Sequence, residues 1–355
     1  MNDRSLPLSQ LREEIDRYIF RHIHPRLRFG TASDRYGGWI GQIYSEHWQD
    51  KVVRRAKKLN GETFKEPVLP VETVREYFEH FNILELDFTF YRPLLNSDAS
   101  PTSNYFALRQ YLRYAPPDAL FLLKAPQIFF TRKLRRSTKG QVAYEENPDY
   151  LNAERYLKEF HQPAQELLQE HLVGIIFEQA YQRVSDTPPV DEVIEDFDQF
   201  FRQLPPVPQS HIELRSPHLL QPPLFNWMAS QGIGYVFSHW TYLPPLHKQW
   251  KLCGERFTAR NREAVVRLMT PLRMTYAEAY ARAFPFDKPV PELANTPQAQ
   301  RMIEDTVELA FYAIEQEVTL NIIANNRAYG NAPELARAIA LRFIERWTQQ
   351  ANLTG

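Results

Sequence analysis

Eight short apolar runs, separated by segments in which apolar residues recur at helical spacing, constrain the fold of this chain more than any other feature. The runs cover residues 26–31, 81–87, 120–124, 172–179, 210–215, 233–238, 264–269 and 318–325. Segments between them, such as 71–81, 152–170, 190–204 and 296–317, have lengths that suit crossovers between parallel strands. Eight such units predict an α/β fold, a TIM-type (β/α)8 barrel that is irregular or carries insertions, and 355 residues fits that fold.

A helix is expected before the first run, because Leu11, Ile15, Tyr18 and Ile19 share one face at helical spacing. Pairs of prolines fall between the expected elements, where a missing amide donor does least harm. These prolines lie in the connections of one domain and do not mark a boundary between two. The sequence therefore predicts an N-terminal helical extension over residues 1–26 and a single barrel domain over 27–350.

Charge and composition narrow the function classes. Lysine plus arginine number 42 against 43 for aspartate plus glutamate, so no global field draws the protein to nucleic acid or membrane. No long apolar stretch is present, which predicts a cytoplasmic protein without a membrane partner. The single cysteine, Cys253, is expected to be an incidental thiol. Only 12 glycines occur and no nucleotide-binding glycine motif is found, so no cofactor is predicted.

Polar residues alternate with apolar ones near the ends of several runs. Helices cover the outer face of a barrel strand, so these polar side chains are expected to face the interior or the mouth. Gln179 is expected to face inward on the fourth run, whereas Glu178 would do so if the register differs by one residue. The residues expected at the carboxyl-terminal mouth are Glu85, Asp87, Lys124, Gln179, Glu213, Arg215, Arg267, Asn321 and Asn325.

Two interpretations of this clustering remain open. Three acids (Glu85, Asp87 and Glu213) and three bases (Lys124, Arg215 and Arg267) would neutralise one another in a buried network. Buried ion pairs stabilise a fold poorly compared with apolar packing, which favours a functional site.

A helix is predicted to begin after the eighth run, because Asn331 is a good cap and is followed by a proline and then Glu334. Its amides would bind phosphate beside the mouth, or the segment is simply a well-capped helix. Asn325, Asn326 and Arg327 lie just ahead of it.

Seven short motifs lie at or near the expected strand ends. In order they are Gly30-Thr31 with Gly38-Trp39, Phe81 to Glu85 with Thr89-Phe90-Tyr91-Arg92, Lys124-Ala125-Pro126, Phe177-Glu178-Gln179, Ile212 to Arg215, Val266-Arg267-Leu268, and Asn325-Asn326 ahead of Gly330-Asn331-Ala332. By these motifs the chain resembles the uncharacterised YecE-like family, also called domain of unknown function 72, from about residue 29 to 344. An insertion at 51–68 departs from the family pattern. The resemblance implies a β/α barrel and no particular reaction, and its second motif adds Tyr91 as a candidate substrate-binding residue.

The first functional hypothesis is an enzyme, a hydrolase or isomerase, that acts on a small anionic or sugar-like substrate. Glu85 or Glu213 would transfer a proton and Asn325 would orient a hydroxyl or an oxyanion. The groups expected to bind the substrate are Lys124, Gln179, Arg215, Arg267, Asn325 and Tyr91. A variant with a divalent metal on Glu85, Asp87, Glu213 and His239 ranks lower, because three cations beside the carboxylates would compete with the ion.

The alternative hypothesis is a nucleic-acid-binding module resembling an endonuclease barrel. Aromatic and basic residues follow the third run and would stack on bases and contact phosphates. These residues are Phe129, Phe130, Arg132, Lys133, Arg135 and Arg136, to which Trp240 and Tyr242 would add. A non-catalytic scaffold is the third hypothesis.

Overall fold

Eight parallel strands close into one barrel in the computed structural model. The structure describes residues 6–138 and 141–354, and within these ranges it describes all side chains except those of residues 135–144 and 351–354. The strands of the chain are β1 (Leu27–Ala32), β2 (Val53–Leu59), β3 (Glu62–Val68), β4 (Ile83–Leu86), β5 (Leu120–Lys124), β6 (Lys133–Thr138), β7 (Gln141–Glu146), β8 (Leu172–Gln179), β9 (Gln209–Leu214), β10 (Gly234–His239), β11 (Glu263–Leu268) and β12 (Thr319–Ala324). The barrel strands run in the order β1-β4-β5-β8-β9-β10-β11-β12 and back to β1. The predicted TIM-type barrel is confirmed.

Helices cover the outside of the barrel and bury apolar residues against the outer faces of the strands. The helices are α1 (Leu8–Asp16), α2 (Val74–His80), α3 (Ser103–Tyr114), α4 (Gln127–Phe130), α5 (Ala153–Tyr156), α6 (Gln162–Leu168), α7 (Val190–Phe201), α8 (Pro222–Gln231), α9 (Leu246–Leu252), α10 (Tyr276–Ala283), α11 (Pro291–Ala294), α12 (Pro297–Glu315), α13 (Asn326–Tyr329) and α14 (Ala332–Thr354). The crossover after β8 is typical, since α7 places Val193, Phe197 and Phe200 on one buried face. A π-helical turn, Leu157–His161, joins α5 to α6.

Two antiparallel hairpins interrupt the β/α alternation. Strands β2 and β3 form one after β1, and β6 and β7 form the other after β5. The insertion recognised at 51–68 is the first hairpin. Its first strand, β2, carries exposed basic residues. Both hairpins follow the carboxyl ends of barrel strands and therefore belong to the mouth face.

The N-terminal helix α1 lies against the C-terminal helix α14. Leu11 and Ile15 are buried, and Tyr18 just beyond α1 donates a hydrogen bond to Glu334 at 2.5 Å. Asp16 and Arg337 add an ion pair at 2.6 Å. Along the described parts of the chain, no helix is both long and apolar enough to span a bilayer.

Candidate active site at the barrel mouth

Six charged side chains converge inside the barrel at the carboxyl ends of its strands. We call this group the ionic cluster. Three members are carboxylates and three are cations, so it is formally neutral. Its members come from β4, β5, β8, β9, the residue just after β9, and β11: Glu85, Lys124, Glu178, Glu213, Arg215 and Arg267.

Arg267 is the centre of the cluster and is 1% exposed. Its Nε and Nη2 donate to the two carboxylate oxygens of Glu85 at 2.7 and 2.5 Å. Its Nη1 donates to Glu213. Glu213 also accepts a hydrogen bond from the Ser238 hydroxyl at 2.6 Å. We call Arg267, Glu85 and Glu213 the lower part of the cluster. All three are buried and form a network of charge-assisted hydrogen bonds.

The upper part of the cluster is less saturated. Arg215 Nη2 contacts Glu178 at 3.1 Å and Glu213 at 3.0 Å, and Lys124 Nζ pairs with Glu178. The other two guanidinium nitrogens of Arg215, Nε and Nη1, are buried and have no hydrogen-bond partner among the described residues. The Trp240 ring covers this guanidinium at 4.5 Å. Arg215 therefore retains unused donors at the mouth.

An apolar layer lies directly below the ionic cluster. On five strands the side chain two residues before a cluster residue or Ser238 is aliphatic: Ile83, Leu122, Ile176, Val236 and Val265. Ile323 on β12 completes this layer. The strands turn the same face inward at every second residue, so charged and apolar residues form separate layers.

His211 on β9 interrupts the apolar layer. It lies two residues before Glu213, and neither ring nitrogen has a hydrogen-bond partner among the described residues. Burial lowers its pKa to about 3, so the imidazole is neutral. Two glycines on the neighbouring strands, Gly174 and Gly234, leave room for the ring, since a Cβ at Gly234 would lie 2.1 Å from His211 Nδ1.

The carboxylates differ in their electrostatic surroundings. Burial would raise the pKa of Glu178, but Arg215, Lys124 and Arg267 outweigh burial and hold it well below its usual range. Burial also acts to raise the pKa of Glu213, but the charges of Arg215 and Arg267 outweigh it and lower that pKa. Burial prevails at Glu85 and raises its pKa despite Arg267. Glu178 is also the most accessible of the three, at 17% side-chain exposure against 0% for the other two.

Gln179 does not face the cluster, contrary to the register expected from the sequence. Glu178 is the inward residue of β8, and Gln179 instead supports the backbone after β9. Its Oε1 accepts hydrogen bonds from the amides of Arg215 at 3.2 Å and Ser216 at 3.3 Å. Gln179 is thus a positioning residue for Arg215. Ser238 was not among the predicted site residues. Alternation along β10 could have identified it, since Ser238 lies two residues after the inward Val236.

Asn325 and the helix that follows it have structural partners. Asn325 is buried and its Oδ1 accepts from the amide of Arg327 at 3.0 Å. The amides of Ala332 and Glu334 at the start of α14 donate to Asn326 and Asn331 side chains at 2.8 and 2.9 Å. Pro333 has no amide hydrogen, and Leu335 donates to the Asn331 carbonyl at 3.2 Å. The capped-helix interpretation therefore holds, and the α14 amides are not free for phosphate.

The four residues of the metal variant do not form a ligand set. Arg267 lies between Glu85 and Glu213, and His239 Nδ1 lies 2.8 Å from the Thr270 carbonyl. Asp87 lies beyond β4, in the 3-10 turn Asp87–Tyr91. Within the described residues, no group of three or more histidine, cysteine, aspartate or glutamate side chains is arranged to hold a metal ion.

The aromatic residues proposed to stack on nucleic acid are mostly buried. Phe129 and Phe130 on α4 are 0% and 2% exposed and pack against Tyr156 and Phe197. They belong to the core because α4 packs between β8 and α7. Arg132 and Lys133 contact Asp196 and Glu146 at 3.5 and 3.4 Å. The Arg135 and Arg136 side chains lie outside the described residues.

Exposed aromatic residues nevertheless concentrate at the mouth. Five of the six that are more than one third exposed in the described chain follow carboxyl ends of barrel strands: Tyr91, Phe106, Tyr181, Tyr242 and Tyr276. The sixth, Trp347, lies on α14. Clustered exposed apolar surface of this kind marks a ligand or partner site.

A closed parallel barrel with charged groups at the carboxyl ends of its strands defines a TIM-barrel protein with a polar site at its mouth. The chain belongs to the DUF72 family, a protein family of unknown function whose model matches residues 28–353. A search of the curated proteins finds no match.

Two solved structures share this fold. A DUF72 family protein from Thermotoga maritima MSB8 is 15% identical with a TM-score of 0.51, over 90% of this chain and 99% of that one. A DUF72 family protein from Enterococcus faecalis V583 is 16% identical with a TM-score of 0.50, over 89% and 95%.

Proposed function

We propose that this protein is an enzyme that acts on a small anionic or sugar-like substrate at the barrel mouth. The observation that carries the proposal is Arg215, a buried guanidinium with two nitrogens unpartnered among the described residues. A buried donor without a partner is costly, and a charged one more so. A substrate anion at Arg215 would remove that cost. Lys124 donates to the same Oε2 of Glu178 as Arg215 and would share the anion's charge.

Glu178 is the group we assign to proton transfer. The alternation along the strands favoured Glu85 or Glu213 for this role, but both are 0% exposed and both bind Arg267. Glu178 is ionised and accepts from the two cations that the substrate would engage. As an anion neutralises Lys124 and Arg215, the pKa of Glu178 rises toward the range in which a carboxylate exchanges protons near neutral pH. Substrate binding and base strength are thereby coupled.

A matched pair of variants tests the anion site. Glu178→Gln removes the counter-ion of Lys124 and Arg215, so the parent should bind inorganic phosphate about tenfold more weakly than the variant, a difference of about 1.4 kcal/mol. Glu263→Gln is the control, because Glu263 pairs with Arg28 at 3.0 Å at the opposite end of the barrel and is similarly covered, at 14% exposure. Titration calorimetry measures the phosphate affinity of the parent and of both variants. Equal phosphate affinity in the parent and Glu178→Gln, or an equal gain in Glu263→Gln, contradicts the proposal.

The catalytic part of the proposal needs a separate test. A thermal-shift screen of phosphorylated and carboxylated sugars identifies ligands, and mass spectrometry of each mixture detects turnover. We expect a ligand whose conversion by the parent is abolished in Glu178→Gln while binding is kept. Conversion that continues undiminished in that variant would remove Glu178 from the mechanism.

A further inference from the structure

A large cleft opens beside the ionic cluster at the carboxyl ends of β1 and β4. Its volume is about 1070 Å³, at the upper end of the range for small-molecule sites. The β2–β3 hairpin, the start of α3 and the start of α10 form its walls, and we call it the hairpin cleft. The residues used in the argument below are Tyr91, Phe106, Tyr276, Arg55, Asp87 and Arg327.

Three exposed aromatic rings line the hairpin cleft. Tyr91 is 70% exposed, Phe106 53% and Tyr276 37%. They come from three separate segments, after β4, at the start of α3 and at the start of α10. Large rings left open to water on one concave surface offer flat apolar faces to a ligand.

The charges of the hairpin cleft are mixed and nearly balanced. Its cations are Arg35, Arg55, Lys57 and Arg327, and its acids are Glu66, Glu72 and Asp87. Lys57 is held by Glu66 at 3.5 Å, and Arg35 donates to the Leu69 carbonyl at 2.6 Å. Arg327 stacks on Tyr276 at 4.5 Å, and its buried Nε has no hydrogen-bond partner among the described residues. Arg327 is therefore the cation best placed to receive an anionic group.

The Phe90 ring lies between the wall of the cleft and the ionic cluster. Phe90 lies 4.0 Å from Lys124 Nζ and 5.5 Å from the Tyr91 ring. Asp87, Glu178 and Arg327 all lie within electrostatic range of Tyr91. The hairpin cleft therefore borders the ionic cluster, and a ligand bound in the cleft lies beside the cluster.

We infer that the hairpin cleft binds an acidic sugar chain of two or more rings. Aromatic faces pack against the C–H faces of sugar rings, free carboxylates such as Asp87 accept hydrogen bonds from hydroxyls, and Arg327 pairs with a carboxylate of the ligand. A nucleic-acid groove carries a strong excess of cations, whereas this cleft has four cations against three acids. The inference names the substrate class of the proposed enzyme and therefore rests on the proposed function.

A length series of probes tests the inference on the full chain. Titration calorimetry compares galacturonic acid, its dimer and its trimer with the neutral trimer maltotriose and with a four-nucleotide oligothymidylate. The uronate trimer should bind at least tenfold more tightly than the monomer and more tightly than maltotriose. Equal affinity for monomer and trimer, equal affinity for maltotriose, tighter binding of the oligonucleotide, or no binding of any uronate overturns the inference.

Variants locate the binding. Arg327→Gln should weaken trimer binding about tenfold, whereas Arg262→Gln, an exposed arginine at the opposite end of the barrel, should leave it unchanged. Phe106→Ser should also weaken trimer binding, and its exposed position keeps the test valid if Arg327→Gln fails to fold. Unchanged trimer affinity in whichever of these two cleft variants folds overturns the inference.

Failure of the inference and failure of the proposed function give different results. If no uronate binds but Glu178→Gln still gains phosphate affinity, the inference falls and the proposed function stands. If the trimer binds through Arg327 while Glu178→Gln changes neither phosphate nor trimer binding, the cleft is a binding site and the proposed function at the ionic cluster falls.

Discussion

Arg267 on β11 and Glu85 on β4 form a two-bond ion pair across the barrel, with two strands, β12 and β1, between them. The pair joins non-adjacent strands through side chains alone. Glu213 holds the remaining side of the same guanidinium. The lower part of the cluster therefore fixes the shape of the mouth, while the upper part, Glu178 with Lys124 and Arg215, is the part to which the proposal assigns ligand binding.

Glu213→Gln should destabilise the fold clearly. Glu213 is fully buried between Arg215 and Arg267, so the variant leaves an uncompensated positive charge in the interior. Breaking such a pair costs about 3 kcal/mol in the free energy of unfolding. Urea denaturation measures the loss, and Glu317→Gln, in an exposed pair with Arg262, is the control. Parent-like stability would mean that the cluster is hydrated and open at this depth.

Asp34→Asn should change how stability depends on pH. Burial raises the pKa of Asp34 to about 6, although a hydrogen bond from Tyr111 and the charge of Arg35 oppose it. The unfolded carboxyl titrates near pH 4, so the folded protein loses stability as pH rises from about 4 to about 6, by up to about 3 kcal/mol. Asp87, Tyr44 and Tyr77 are the other titratable groups near this carboxylate.

The asparagine variant has no such loss because its side chain is neutral at every pH. Urea denaturation of both proteins at pH 4 and pH 7 gives the comparison. The free energy of Asp34→Asn relative to the parent should become more favourable at the higher pH. Parallel pH dependence in the two proteins would contradict the raised pKa.

Gly234→Ala should be destabilising because its Cβ would meet the His211 ring at 2.1 Å. Overpacking of this kind costs about 3 kcal/mol in the free energy of unfolding. Replacing the ring as well, in Gly234→Ala/His211→Ala, should recover part of that loss, so the two changes are not additive. Chemical denaturation of the parent, both single variants and the double variant measures the coupling. If the two losses in the free energy of unfolding simply add in the double variant, the Cβ introduced at position 234 does not clash with the His211 ring.

Purified protein should hold no stoichiometric divalent metal at the ionic cluster. Lys124, Arg215 and Arg267 occupy the carboxylate oxygens that an ion would need, and displacing them would leave buried cations unpaired. Elemental analysis after purification in metal-free buffer, with melting curves before and after a chelator, tests this. About one equivalent of metal per chain, or a melting temperature that a chelator lowers, would favour the hypothesis of a divalent metal on Glu85, Asp87, Glu213 and His239.

Alternation of side chains along strands made the fold and most of the ionic cluster predictable. Glu85 lies between Leu84 and Leu86, and Arg267 between Val266 and Leu268, so one face of each strand was evident. The register of β8 was not predictable in this way. Its run from Val173 to Phe177 carries no polar residue, because a barrel strand is buried on both faces, and Glu178 and Gln179 could not be distinguished.

The hairpin cleft could not be predicted from local pattern. Tyr91, Phe106, Tyr276 and Arg327 belong to four segments that only the closed barrel brings together. Nothing in the sequence around Phe129 and Phe130 distinguishes a buried aromatic pair from an exposed one, since the decision depends on α7 and the strands beneath.

The aliphatic layer under the ionic cluster closes the interior of the barrel on the side away from the mouth. Water, protons and ligands reach Glu178, Lys124 and Arg215 from one side, because Ile83, Leu122, Ile176, Val236, Val265 and Ile323 fill the way from the other. A ligand that fills the mouth therefore also closes the route by which the cluster exchanges protons with solvent. Any proton that the cluster gains or loses while such a ligand is bound must then come from the ligand or pass to it.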